Sequence, residues 1–142
     1  MNITVLGAGA WGTSMAINLA LRHSVVLWDR KNSVVVEAGK TRQNKVGLPG
    51  FMLPESLRLV ADFDAAVSHG NGQDGMVIIA TSVAGLREVS RHLTDRQITN
   101  LIWLCKGFEE NTGLMPSQVV AEVTGGRMNT GVLSGPSFAQ EV

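Results

Sequence analysis

The sequence predicts an α/β fold, a parallel sheet covered by helices on both faces, and three features carry that prediction. Short runs of Val, Ile and Leu alternate with segments of helical periodicity along the chain. Such uninterrupted apolar runs suit strands that are buried on both faces. The composition is aliphatic, with 44% hydrophobic and only 5% aromatic residues and no Tyr. The first strand-like run also breaks at once into glycines. At 142 residues a single domain is expected, long enough to bury about two-thirds of its unfolded surface.

Each element follows in order. Ile3 to Leu6 reads as a central strand, ended by Gly7. Thr13 to Arg22 places Met15, Ala16, Leu19 and Ala20 at helical spacing, with small residues where a helix must lie close to a sheet. Val25 to Trp28 is the second strand. Asn32 or Ser33 is expected to cap a second helix ending near Gly39. Lys40 to Pro54, punctuated by Gly47, Pro49, Gly50 and Pro54, is expected to be a surface excursion. Leu57 to Val60 reads as a short extra strand, Phe63 to Val67 as a brief helix, His69 to Gly75 as a turn and Met76 to Ala80 as a buried strand. A helix over Val83 to Leu93, a strand over Leu101 to Cys105 and a helix over Pro116 to Val123, with Pro at its first position, come next. Val132-Leu133 is the last strand, and Pro136 is expected to open a further helix. Right-handed crossovers between the strands complete a doubly wound sheet.

Charge and cysteine content narrow the function classes. Twelve Lys plus Arg balance twelve Asp plus Glu, so the electrostatic footprint that nucleic acid or an anionic membrane surface requires is missing. No apolar run reaches the ~18 residues of a membrane span, and no basic segment leads into an apolar one at the N-terminus. A cytoplasmic location is expected. The single Cys105 has no intrachain partner and sits in an apolar run, where a small buried thiol is the ordinary reading. No metal site is expected.

"VLGAGAWG" places Gly7, Gly9 and Gly12 in the pattern G-x-G-x-x-G directly after a strand and at the opening of a helix. In that context Gly7 permits the tight turn, Gly9 removes a side chain where a pyrophosphate approaches the backbone, and Gly12 lets helix and strand pack closely. The helix N-terminus offers free N–H groups and the positive end of its dipole to the diphosphate. Asp29 lies 20 positions after Gly9, where a carboxylate would bond the adenosine 2′-hydroxyl of NAD. The neighbouring Arg30 could pair with the 2′-phosphate of NADP. NAD and NADP therefore both stay open as the cofactor. In such folds the ligand lies across the carboxyl ends of the strands, which singles out Thr81-Ser82, Lys106-Gly107 and Gly135-Pro136-Ser137. A Lys at a strand end, followed by Gly, is well placed for a phosphate or carbonyl oxygen, or it is simply a solvated loop lysine.

The segments "GAGAWGTSMA", "VVLWDR", "NKVGLPG", "LCKGFE" and "LSGPSFAQEV", in this order, resemble the N-terminal domain of the NAD(P)-dependent glycerol-3-phosphate dehydrogenases from Met1 to Val142. The resemblance implies that Ala10, Trp11, Arg30, Lys106 and Ala139 line the cofactor. It also implies that Lys106, Gly135 and Ser137 contact the substrate, dihydroxyacetone phosphate or sn-glycerol 3-phosphate, in a reversible hydride transfer that serves phospholipid synthesis. Two positions depart from the family's pattern: Gly47 stands where an aromatic is frequent, and Thr81 where Pro is usual. The family continues into a helical substrate domain that supplies the proton-donating lysine. No catalytic residue is therefore expected within this chain, whose end at Val142 resembles a cut inside a longer polypeptide. His23, His69 and His92 are expected at the surface.

Two other readings compete with this one. The first is a different two-domain dehydrogenase, acting on a 3-hydroxy acid or a sugar acid. The second is a non-catalytic module that senses dinucleotides. If the chain is a lone domain, it is also expected to expose apolar surface and to self-associate into a homo-oligomer.

Overall fold

The computed structural model describes residues 1–135 and 138–142. Strands β1 (Asn2–Leu6), β2 (Ser24–Trp28), β3 (Arg58–Leu59), β4 (Gly75–Ile79), β5 (Asn100–Trp103) and β6 (Asn129–Val132) form one parallel sheet in the order β3-β2-β1-β4-β5-β6. The order reverses between β1 and β4, which is the switch point where such sheets open a crevice. The register aligns Leu6 with Trp28 and with Ile79, and Ile79 with Trp103. The residues that follow, Gly7, Asp29, Ala80 and Leu104, therefore emerge along one edge.

Helices α1 (Ala10–Ala20) and α2 (Asn32–Thr41) cover one face, and α3 (Phe63–His69), α4 (Val83–Thr94) and α5 (Pro116–Thr124) the other. On the first face Val5, Val25 and Leu27 pack with Ala16, Ala20 and Ala38. Alanines on α1 let that helix approach the strands closely. On the second, Leu6, Val77, Ile79, Leu101 and Trp103 pack with Val67, Leu86, Leu93 and Val119. Each face buries a continuous aliphatic layer, the main favourable term in folding.

Several sequence expectations are corrected. Helix α1 begins at Ala10 rather than Thr13, because Gly12 belongs to its first turn instead of to the loop. Helix α2 has Lys31, not Asn32 or Ser33, at its N-cap position, with no side-chain cap, and runs past Gly39 to Thr41, ending on Arg42 in the left-handed conformation. The excursion after it is only partly a surface feature, since Asn44, Leu48 and Leu53 are buried. Leu53 N–H donates to the Arg42 carbonyl at 2.8 Å, which closes the loop. Strand β6 starts at Asn129, upstream of the expected Val132-Leu133. Its polar, largely exposed residues carry no apolar signal because this is an edge strand. Pro136, from which a further helix is expected, lies outside the described residues. Beyond it stands a short 3-10 turn, Ala139–Glu141. The other elements match within two residues.

Candidate functional site

The corner between β1 and α1 is made from backbone. Gly7 has φ +120°, and a Cβ there would lie 2.9 Å from the carbonyl carbon and oxygen of Ala80. A Cβ on Gly12 would lie 1.9 Å from the Gly7 oxygen, so only glycine lets the first turn of α1 seat on the strand end. At Gly9 the direction of a Cβ is open space. Helix α1 has Gly9 as its N-cap, no side-chain cap and no acidic residue in its first turn. Its leading amides are therefore left for another acceptor, and the dipole there favours an anion. The glycine loop thus forms a cradle that fits a diphosphate.

Side chains brace this cradle from behind. Asp29, one residue past β2, accepts the Ala8 N–H on Oδ2 and the Lys31 N–H on Oδ1, each at 2.8 Å. Gly7 N–H donates to the Trp28 carbonyl at 2.8 Å. Both Asp29 oxygens thus already hold main-chain donors, which binds the loop to the end of β2. Arg30 beside it is exposed.

A cleft of about 880 Å³ runs from this corner across the switch point, lined by Gly7, Gly9, Ala10, Asp29, Arg30 and Ser82 among others. Its size falls within the ~300–1,000 Å³ typical of small-molecule sites. Trp28, Phe63 and His92 line it further along. Phe63 meets Trp28 edge-on at 5.0 Å between ring centroids and His92 at 5.8 Å. His92, expected as a plain surface residue, is exposed but forms part of this wall. His69 ends α3 and bonds the Ser24 carbonyl and the Arg58 guanidinium, well away from the strands' carboxyl ends.

Lys106, Gly135 and Trp11 meet at a second place. Lys106 Nζ donates to the Gly135 carbonyl at 2.5 Å and lies 5.6 Å from the centroid of the Trp11 ring. Ala139 comes to α1, where its carbonyl accepts from Ser14 Oγ. Ser137 lies outside the described residues. The connection carrying Lys106 is anchored by residues that sequence reasoning missed. Arg87 of α4 makes a bidentate pair with Glu109, both bonds at 2.8 Å, and a third bond to Glu122 of α5. Glu109 also accepts from Thr112. The guanidinium and this hydroxyl hold the Glu109 carboxyl down at about 2, while the Glu109 and Glu122 carboxylates hold Arg87 above its usual range. Burial pushes the Cys105 thiol up, consistent with a packed, unreactive sulfur. Among the described residues no helix is long and apolar enough to cross a membrane, and no cluster of His, Cys and carboxylates could hold a metal.

Parallel order, switch-point cleft and glycine cradle together define a doubly wound domain of the dinucleotide-binding class. Comparison with known proteins narrows this. A family model described as NAD-dependent glycerol-3-phosphate dehydrogenase N-terminus matches residues 2–142, and the chain belongs to that family. It is 57% identical over its whole length to a glycerol-3-phosphate dehydrogenase (NAD(P)+) of Herminiimonas arsenicoxydans and 54% identical to one of Paucimonas lemoignei. It spans 43% and 42% of those proteins, respectively. The crystal structure of the Coxiella burnetii glycerol-3-phosphate dehydrogenase superposes with a TM-score of 0.86 at 30% identity, covering 98% of this chain and 42% of that one.

Proposed function

We propose that this chain is the NAD(P)-binding domain, residues 1–142, of a glycerol-3-phosphate dehydrogenase, and that the substrate domain with the proton-donating lysine lies outside it. The observation that carries the reading is the cradle of Gly7, Gly9 and Gly12. It is bare on the cleft side at Gly9 and closed by backbone behind Gly7 and Gly12. In this reading the amides of Ala10 and Trp11 hold the diphosphate. Asp29 keeps the loop in shape, and Arg30 at the cleft mouth meets the adenosine ribose or its 2′-phosphate, so that both NAD and NADP are accepted. When bound, the nicotinamide supplies the hydride exchanged with C2 of dihydroxyacetone phosphate to give sn-glycerol 3-phosphate, a precursor for phospholipids.

Lys106 is the chain's own contribution to the substrate end. Its ammonium, parked between the Trp11 ring and the Gly135 carbonyl, is placed to attract a phosphate or carbonyl oxygen as it moves off that carbonyl. Ser137 and Gly135 orient the same substrate, and Ala139 lines the cofactor. Charge of this kind stabilises a developing oxyanion strongly only where water is excluded. Lys106 and Gly135 are both exposed here, so the isolated chain is expected to bind dinucleotide and turn over nothing. Its exposed Phe108, Leu133 and Phe138 support self-association of the lone domain. The setting is cytoplasmic.

Titration with NADH and NADPH, followed by calorimetry and by the fluorescence of Trp11 and Trp28, tests the binding. Absence of heat and of any spectral change at millimolar ligand, with the chain folded, overturns it. A chimera of this chain with the remaining portion of the Herminiimonas arsenicoxydans relative should reduce dihydroxyacetone phosphate, and Lys106→Ala should abolish that. Turnover by the 142-residue chain alone refutes the division of labour.

A further inference from the structure

We infer that Asn44 is a positioning residue for diphosphate binding, acting through the Ala8 peptide in the middle of the glycine turn. The inference rests on the dinucleotide reading above. Asn44 lies 36 residues from Ala8 in sequence, in the segment after α2, and is only 2% exposed. Its amide is fully used. Oδ1 accepts the Gly47 N–H at 2.9 Å, while Nδ2 donates to the Ala8 carbonyl and to Thr13 Oγ1, each at 2.7 Å. The Gly47 contact sets the orientation of the amide, because a flipped Asn would face N–H with N–H there and carbonyl with carbonyl at Ala8.

The segment carrying Asn44 is itself fixed. Gln43 and Met52 form an isolated antiparallel bridge, Leu48 N–H bonds the Asn44 carbonyl at 2.9 Å, and Arg42 reaches the carbonyls of Pro54 and Leu57. Gly47 completes the fit: a Cβ there would lie 2.3 Å from the Ala8 oxygen and 2.6 Å from Asn44 Nδ2. Absence of a side chain at Gly47 is therefore what lets this segment lie directly on the glycine turn.

The consequence is a clamp on one residue, at the N–H of the peptide before it and the oxygen of the peptide after it. Asp29 holds the Ala8 N–H and Asn44 holds the Ala8 oxygen, directed into the protein. An anion cradle works by presenting N–H groups, and a carbonyl oxygen turned toward a diphosphate would repel it. With Ala8 held this way, the following amides at Gly9, Ala10 and Trp11 are set toward the cleft before ligand arrives, so less ordering is required on binding.

The test compares NADH with adenosine, which lacks the diphosphate, on the 142-residue chain and its variants. Asn44→Asp is nearly isosteric but sets an oxygen against the Ala8 oxygen. It is expected to weaken NADH binding about tenfold or more, the consequence of leaving a buried acceptor unpaired, and adenosine binding by less than about twofold. Thr13→Val spares the Ala8 bond and is expected to cost NADH affinity less than Asn44→Asp. Leu93→Ala, on the far face, lowers stability and leaves NADH affinity unchanged.

An Asn44→Asp chain that binds NADH like the parent, or that loses NADH and adenosine affinity equally, overturns the inference. Should that variant fail to fold, the unsubstituted chain still decides. The Asn44 amide protons must exchange slowly and shift on NADH addition, and rapid exchange or no shift overturns it. Failure of the unsubstituted chain to bind NADH overturns the dinucleotide reading itself, whereas binding by the parent with an indifferent variant overturns only the role of Asn44.

Discussion

The glycine corner and the Lys106 shelf both sit at carboxyl ends of strands, yet they are built in opposite ways. At the corner the groups proposed to bind are main-chain amides, and the braces behind them, Thr13, Asn44 and the partly buried Asp29, are packed into the protein. At the shelf the group proposed to act is one exposed ammonium, resting on a half-buried ring and an exposed carbonyl. Only its rear is firm, through Arg87, Glu109 and Glu122. A binding element made of backbone comes preformed with the fold. One made of a long cation needs a second surface to remove water and restrict it, since an exposed charge contact contributes little.

Several measurements can break or sharpen that contrast. The largest effect belongs to the corner. Gly12→Val forces carbon into the Gly7 carbonyl and should cost at least about 3 kcal/mol of stability, read as a lowered thermal midpoint, together with all dinucleotide affinity. If that variant keeps a native melting curve, the corner is less rigid than described. Next comes the rear of the shelf. Because Glu109 is held at about 2 against an ordinary 4.5, the unfolded chain takes up a proton between those values that the folded chain does not. Stability from this pair is complete above about pH 4.5 and declines as pH falls toward 2. Glu109→Gln should lower the midpoint at neutral pH and flatten its fall across that acid window; an unchanged slope would show the pair to be inert.

Lys106→Ala should then alter stability by no more than about 0.5 kcal/mol, as for most exposed positions. A drop beyond that would make the lysine a structural element and erase the distinction between the two sites. Smallest of all, Cys105 should react with a thiol reagent at neutral pH only on the timescale of unfolding, because burial disfavours its thiolate. Rapid modification of the folded chain would show the β5 end to be open.

Much of this was readable from residue order. The strand at Ile3 to Leu6, the three glycines after it and the helix that follows form a local signal, since turn and helix start involve neighbouring residues. Placing the start of α1 failed by one turn, because nothing local distinguishes a glycine in the loop from one inside the first helical turn. Only the Gly7 carbonyl packed against Gly12 decides it. Lys106 was legible from its position after a strand, but its contacts with Trp11 and Gly135 were not, as they join three separate segments. Nothing local marks Asn44 as buried, because a Gly- and Pro-rich stretch such as Lys40 to Pro54 is ordinarily a surface excursion.

By itself, then, the amino-acid sequence determined the fold class, the family and the glycine turn between the first strand and helix, because periodicity, motif order and glycine geometry act over a few residues. Tertiary structure alone decided that Asp29 holds the Ala8 N–H while Asn44 holds the Ala8 oxygen, and that Arg87 steadies the Lys106 connection. Hydrogen bonds and ion pairs between distant segments depend on strand register and helix packing, which arise only when the whole sheet is assembled.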